Sequence, residues 1–307
     1  MDNASLHKIY VIVVTYKGHQ WYERCFTSLR NSEIPVQTVV IDNASNDGTV
    51  EYIREYFPEI HLIESKENLG FGRANNLGMR YALDNGCDYV FLLNQDAWIE
   101  PNSIKELVRI HQENPRYDVL SPMHITADKR ALYIEIEDGK TDHANSLLSD
   151  AYFQTLQDVY PFKYVNAAAW LMTRKTLETI GGFDPIFFLY GEDDNYLQRM
   201  EYHGVKLGLA PKVQIVHDHQ ETKIKGTIEY QLYRKEQYKL VEYTNLLKPL
   251  SVKKQLFYLY RKFLTSVMIL DKVKIKIFMN EIGFFKRYIK KIQISRQTNK
   301  LKQSSWL

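Results

Sequence analysis

The chain has 307 residues, of which 45% are hydrophobic and 25% charged, a composition that excludes collagen, wholesale disorder and an integral membrane bundle. Two cysteines, Cys25 and Cys87, without CxxC spacing exclude a disulfide framework and a zinc-finger site, and they fit a reducing compartment. The net charge of +3 conceals a split: residues 221–307 hold 20 basic and 6 acidic residues, or +14, which leaves −11 on the first 220, so the two parts are expected to meet different partners.

The polar start MDNASLHK has no apolar signal core, so no leader peptide is expected. IYVIVVTY (9–16) is a β-branched run predicted as a strand buried on both faces. A helix is predicted over 19–30 and a second strand at QTVVID (37–42). The loop NASNDGT follows, and in it Asn46 or Asp47 can cap a helix running to 57. HLIES (61–65) reads as a third strand, ENLGFG as a turn into a helix through 84, and DYVFLLN (88–94) as a fourth strand. Pro101 opens a helix to about 114. This alternation implies an α/β fold with a parallel, doubly wound sheet. Ligands of such sheets bind at the carboxyl ends of the strands, where Thr15–Tyr16, Asp42–Asn43, Asn68 and Asn94–Asp96 fall. One crevice lined by all four groups is expected.

From 119 to 220 the pattern is mixed. Strands are predicted at 119–125, 131–137 and 164–173, with a flexible polar loop over 138–158. A glycine turn and an aromatic segment lead into a helix from Glu192, and a strand then ends in a His-rich turn. Beyond 226 the chain reads as helical, with one helix over 225–247, further helix over 251–293, and a frayed last dozen residues. No apolar stretch is long enough for a membrane span, and the chain is expected to be cytoplasmic.

Asp96, at the end of a buried strand, is a natural ligand for a hard divalent cation that takes its other ligands from phosphates and water. It reads as readily as a turn former or cap before the following helix. Asp42 and Asn43 can bond a base edge or ribose hydroxyls, or simply form an Asx-turn. The first strand is followed by Thr-Tyr-Lys-Gly-His, which is neither GxGxxG nor a P-loop, so an NAD enzyme or P-loop ATPase is disfavoured. Glu192-Asp193-Asp194 are three acids at a helix start, more than the helix dipole needs; mutual repulsion would raise one of them into the range of a general base. His217 and His219 would share a face of a strand, as metal ligands or as a solvated pair. Trp170 fills core or stacks on a sugar.

VIVVTY (11–16), VVIDNASNDGT (39–49), ENLGFGRANNLG (67–78), YVFLLNQD (89–96), GGFDPIFFLYGEDDNYLQR (181–199) and VQIVHDH (213–219) together resemble family 2 glycosyltransferases, in particular their rhamnosyltransferase-like bacterial branch. The resemblance spans about 8–220 and implies a GT-A fold: a mostly parallel, Rossmann-like sheet flanked by helices, over 1–225, with a C-terminal helical extension at 226–307. It implies inverting transfer of a sugar from a UDP- or dTDP-sugar, dTDP-rhamnose for this branch, to a glycan or lipid-linked acceptor of a surface polysaccharide. On this resemblance Thr15, Tyr16, Asp42, Asn43, Asn68, Gly70, Asn75, Asn94 and Asp96 bind the nucleotide-sugar. Asp96 and His217 hold Mg²⁺ or Mn²⁺, and Asp193 is the catalytic base. Three positions depart from the pattern: Asn94 stands for the first acid of a DxD motif, Gln95 for a frequent Pro, and the HDHQ turn lacks the usual Gly.

The extension lies outside the resemblance. FYLYRKF (257–263) and GFFKRYIKKI (283–292) interleave aromatic and basic residues, as in an interfacial helix on anionic lipid. A homodimer element or a bundle packed on the domain fits the same pattern, whereas nucleic-acid binding lacks a motif. Two other functions compete: a non-catalytic nucleotide-sugar or glycan binder on the same scaffold, and a nucleotidyltransferase, for which TYKGHQ offers no phosphate loop.

Overall fold

The structure, a computed structural model, describes residues 7–132, 144–218 and 227–307. The strand at 131–137 and His219 lie outside these residues, apart from a bridge between Ile125 and Leu132.

The β-branched runs form the strands. β1 (Ile9–Thr15) pairs in parallel with β2 (Gln37–Asp42) and β4 (Tyr89–Asn94), and β2 pairs in parallel with β3 (His61–Glu64). Helices α1 (His19–Arg30), α2 (Thr49–Tyr56) and α3 (Gly70–Asp84) are the crossovers. β1 and β4 bury nearly every residue because helices cover both faces of the sheet. Asp47 accepts bonds from Thr49 N and Oγ1 just ahead of α2, although Gly48 holds the N-cap position itself.

Beyond β4 the sheet becomes mixed. The short β5 (Ala97–Ile99) precedes α4 (Ser103–Glu113), and β6 (Val119–Ile125) follows. α5 (Ala144–Tyr152) is a helix where the sequence predicts a polar loop over 138–158, of which 138–143 lie outside the described residues. The expected strand at 164–173 is shortened to β8 (Ala169–Thr173), and an unpredicted short strand, β7 (Tyr160–Phe162), precedes it. α6 (Arg174–Ile180), α7 (Glu192–His203) and β9 (Leu207–His217) complete the sheet region. The strand order is β3-β2-β1-β4-β8-β6-β9-β5, with β7 beside β9. β8 runs antiparallel to β4 and β6, and β5 and β7 antiparallel to β9; the remaining strands are parallel. This is an α/β sheet of the GT-A type, mostly parallel and covered by helices on both faces. Trp170 on β8 is fully buried against Phe183 and Tyr196, so it is core.

The C-terminal region is three helices, α8 (Ile228–Thr244), α9 (Val252–Met268) and α10 (Lys272–Asn299). Leu240, Val241, Phe284, Phe285 and Ile292 pack with Phe187 of the aromatic segment, so this region shares a core with the sheet domain. Asp184 accepts bonds from Ser295 Oγ at 2.6 Å and Asn299 Nδ2 at 2.7 Å. The chain end is docked rather than frayed, because Gly182 N donates to Ser305 O at 2.8 Å and Trp306 Nε1 to Asn299 Oδ1 at 2.7 Å.

Candidate functional site

The carboxyl ends of β1, β2 and β4 open on one side of the sheet, as parallel pairing requires. Asp42 ends β2 opposite Thr15 of β1, and Thr15 Oγ1 donates to Asp42 Oδ1 at 3.1 Å. The other carboxylate oxygen accepts the Ser45 amide at 2.9 Å and so shapes the loop after β2. Asn43 Oδ1 takes the Leu69 amide at 2.7 Å, while its Nδ2 donates to Asn68 Oδ1 at 3.0 Å and Gly70 O at 3.2 Å. Asn68 Oδ1 also accepts the Gly70 amide at 2.9 Å. Thr15, Asp42, Asn43, Asn68 and Gly70 thus form one hydrogen-bonded cluster. Lys17 and Ala44, on its two loops, have positive φ values of 50° and 61°. Such backbone costs about 1 kcal/mol for a non-glycine residue and gathers at functional loops.

Tyr16 is exposed beside this cluster, its amide donating to Gln95 Oε1 at 2.8 Å and its carbonyl accepting from Gln95 Nε2 at 3.2 Å. Gly70, at φ 77°, starts α3 so close to the aromatic segment that a Cβ would collide with the Phe188 carbonyl oxygen. Phe71 N donates to that same oxygen at 3.1 Å, which ties the strand-end loops to the segment leading into α7. Of the residues expected to bind the nucleotide-sugar only Asn94 lines the cavity beside α7, so the single crevice expected from all four strand-end groups is not formed, and Asn75 lies away from it. It is buried in α3 and donates to Phe71 O at 3.1 Å.

Antiparallel pairing of β5 with β9 sets Ala97 opposite His217. His217 Nε2 therefore lies 3.4 Å from Asp96 Oδ1, and Asp218 N donates to Asp96 O at 2.8 Å. Trp21 Nε1 in turn holds Asp218 Oδ2 at 2.9 Å. The His124 ring sits edge-on to His217 at 5.9 Å, and its burial lowers its pKa to about 3, so it stays neutral behind His217. A carboxylate and an imidazole this close fit Mn²⁺ or Mg²⁺, with diphosphate and water oxygens completing the shell. Among the described residues no group of three or more His, Cys, Asp or Glu side chains converges.

A cavity of about 250 Å³ lies between these groups and α7. Asn94 and His217 line it on one side, Glu192 and Asp193 on the other. Asp193 Oδ2 accepts the Ala167 amide at 3.1 Å, which fixes its carboxylate at the wall. The acid displaced from the usual range is Glu192: burial first, then the Asp193 charge, push it up to about 8. Its Oε2 is buried without a hydrogen-bond partner. Tyr190, two residues earlier, holds φ 69°, so the backbone entering the acid triplet is itself strained.

α8 also lines the cavity, through Tyr230, Arg234, Gln237 and Tyr238. Gln237 is buried and its Oε1 has no partner, while Arg234 stacks 4.2 Å over Tyr190. The sequence reading places α8 outside the site. These residues are spaced i, i+4, i+7, i+8, one stripe of a helix, and that stripe is the signal it overlooks.

A family model described as "Glycosyl transferase family 2" matches residues 10–178, more than half of the chain. The chain belongs to that family. It is a glycosyltransferase, and α7, α8 and His217 lie beyond the matched residues of the family 2 segment. It is 24% identical to the low-salt glycan biosynthesis hexosyltransferase Agl10 of Haloferax volcanii over 76% of this chain and 74% of that one. It is 28% identical to the N-acetylglucosaminyl-diphospho-decaprenol L-rhamnosyltransferase of Mycobacterium tuberculosis over 67% of this chain and 75% of that one. The fold is similar to that of the mannosyltransferase PcManGT from Pyrobaculum calidifontis, solved with GDP-Man and Mn²⁺, at a TM-score of 0.56 and 20% identity over 80% of this chain and 65% of that one.

Proposed function

We propose that this family 2 enzyme transfers a sugar, with inversion, from a nucleotide-sugar to a hydroxyl of a glycan or lipid-linked acceptor in polysaccharide synthesis. A dTDP- or UDP-sugar is the proposed donor, and dTDP-rhamnose the first to test. The observation that carries this reading is that Asn94, His217 and Asp193 line one cavity, with Asp96 3.4 Å from His217. The rhamnosyltransferase and hexosyltransferase relatives support the choice of sugar class.

In this reading Tyr16 and the Thr15–Asp42–Asn43–Asn68–Gly70 cluster shape the nucleoside end. Asn75 supports it from within α3, and Asn94 faces the sugar. Asp96 and His217 hold Mn²⁺ or Mg²⁺, which when bound stabilises the charge of the departing diphosphate. Asp193 accepts the acceptor's hydroxyl proton as that oxygen bonds to the anomeric carbon. The bond from carbon to diphosphate breaks on the opposite face, and its electron pair leaves with the nucleoside diphosphate. Glu192 stays protonated near neutrality and donates a hydrogen bond, while Gln237 Oε1 accepts one; sugar hydroxyls supply both partners.

The chain is read as a sheet domain over 1–225 and an extension over 226–307 whose first helix, α8, helps line the site. The extension is read as bringing the enzyme to an anionic membrane face, with a homodimer as the competing use. Incubation with dTDP-rhamnose and UDP-sugars, with and without Mn²⁺, tests the chemistry. Metal-dependent release of nucleoside diphosphate with an inverted product linkage is expected. A retained anomeric configuration overturns the mechanism, and turnover that Asp193→Ala leaves intact removes the proposed base.

A further inference from the structure

α9 and α10 pack on one another as a hairpin whose turn is exposed. α10 meets α8 through ion pairs of Glu281 with Lys239 and Arg287 with Glu236. The start of α10 lies about nine residues before Glu281, so the turn stands roughly 15 Å beyond that contact at 1.5 Å per residue. α9 spans 17 residues and buries only Leu259 and Ser266 among them. The apex is apolar and open: Met268 is 84% exposed, Leu270 79%, Val273 69% and Ile269 61%. Leu264, Ile277 and Met279 extend the same exposed surface down both helices.

Local backbone rules make this apex unusual. Leu270 occupies a left-handed position, φ 56°, at the end of a helix. Glycine takes that conformation freely there, whereas a leucine pays about 1 kcal/mol. The chain keeps a strained, solvent-facing leucine at this exposed turn, and such a departure from local preference marks a functional position.

The charges around it narrow the partner. Residues 261–277 contain five basic side chains, at Arg261, Lys262, Lys272, Lys274 and Lys276, against one acid. That acid, Asp271, is engaged, accepting the Lys274 amide at 3.0 Å and pairing with its ammonium at 3.0 Å. A self-paired dimer through the apex would set two such basic collars against each other, which like-charge repulsion opposes. An apolar wedge with a basic collar suits the headgroup layer of an anionic bilayer, where each basic residue contributes about 1 kcal/mol. Among the described residues no helix is long and apolar enough to cross a membrane, so the wedge would lie in one leaflet.

We propose that the apex of this hairpin, Leu264 to Ile277, inserts its apolar side chains into an anionic membrane leaflet while the flanking lysines bind the lipid phosphates. This rests on the reading of the extension as the membrane-facing part. The test is co-sedimentation of the full chain with vesicles of phosphatidylcholine alone and of an equal mixture with phosphatidylglycerol. Wild type should bind the mixture, and salt should weaken it. Met268→Glu with Leu270→Glu should weaken binding by more than about tenfold, since two buried apolar side chains are lost. Lys274→Ala and Lys276→Ala should each cost about fivefold. All these side chains are exposed, so circular dichroism and nucleotide-sugar turnover should not change. A wild type that ignores both vesicles overturns the membrane reading together with the apex. Vesicle binding that the double glutamate variant leaves intact overturns the apex alone. Light scattering that shows a dimer abolished by that variant, without vesicle binding, assigns the apex to a second copy instead.

Discussion

On the strand-end side of the site, Thr15, Asp42, Asn43 and Asn68 direct their hydrogen bonds at one another. On the α7–α8 side, Glu192 Oε2 and Gln237 Oε1 lie buried without a partner. An unpaired buried polar atom costs about 1–3 kcal/mol, so the second wall is the less stable one. The difference separates two tasks. The strand ends form a preorganised cradle that needs no ligand to hold its shape. The α7–α8 wall keeps two unpaired polar atoms that sugar hydroxyls would satisfy in the proposed reaction, so discrimination between sugars should reside there.

The largest expected effect falls on the α7 wall. Asp193→Ala should lower kcat by about 10²–10⁴-fold, with nucleotide-sugar affinity unchanged. Single-turnover kinetics beside calorimetric binding would read both, and an equal loss of affinity would place Asp193 in donor binding instead. A smaller effect of mixed sign is expected at Gln237→Leu. Removing an orphaned acceptor should raise Tm by a few degrees, while the KM for the sugar it meets rises about tenfold. Thermal melts and steady-state kinetics check this; a lowered Tm would mean that Gln237 is a structural residue and that the two walls do not differ.

The subtlest prediction concerns pH. The Glu192 carboxyl is pushed up to about 8 in the folded chain, from an ordinary value of 4.5. The folded state then binds a proton that the unfolded state has lost. That stabilisation is complete below about pH 4.5 and falls away as pH rises towards about 8. Glu192→Gln imitates the protonated form, so its Tm advantage over wild type should grow through this window and level off above it. A Tm difference independent of pH would show that Glu192 ionises normally in the fold.

Much of the sheet is legible in the sequence, because β1 and β4 are β-branched runs between turn residues and the crossover helices carry clear amphipathic spacing. β5 is not, since Ala97-Trp98-Ile99 is too short to show a period, and only its pairing with β9 makes it a strand. α5 hides in polar sequence. The docked chain end is unreadable for a different reason: Ser305 and Trp306 gain their partners at Gly182 and Asn299 only after the fold is made. The same holds at the site. Asp96, His217 and Asp193 stand in recognisable motifs, and their neighbourhood follows from the strand order. Arg234 and Gln237 look like a solvated helix face until α8 is laid against Tyr190 and Glu192.

The central claim is that Asp96 and His217 hold a divalent ion on the donor diphosphate beside Asp193. Titration calorimetry with the nucleotide-sugar that the enzyme turns over, with and without Mn²⁺, tests it most directly in wild type and Asp96→Ala. Wild type should bind the donor at least about tenfold more tightly with Mn²⁺, and Asp96→Ala should bind equally weakly with or without it. Donor affinity that ignores Mn²⁺ in wild type, or that still rises with Mn²⁺ in Asp96→Ala, would contradict the account.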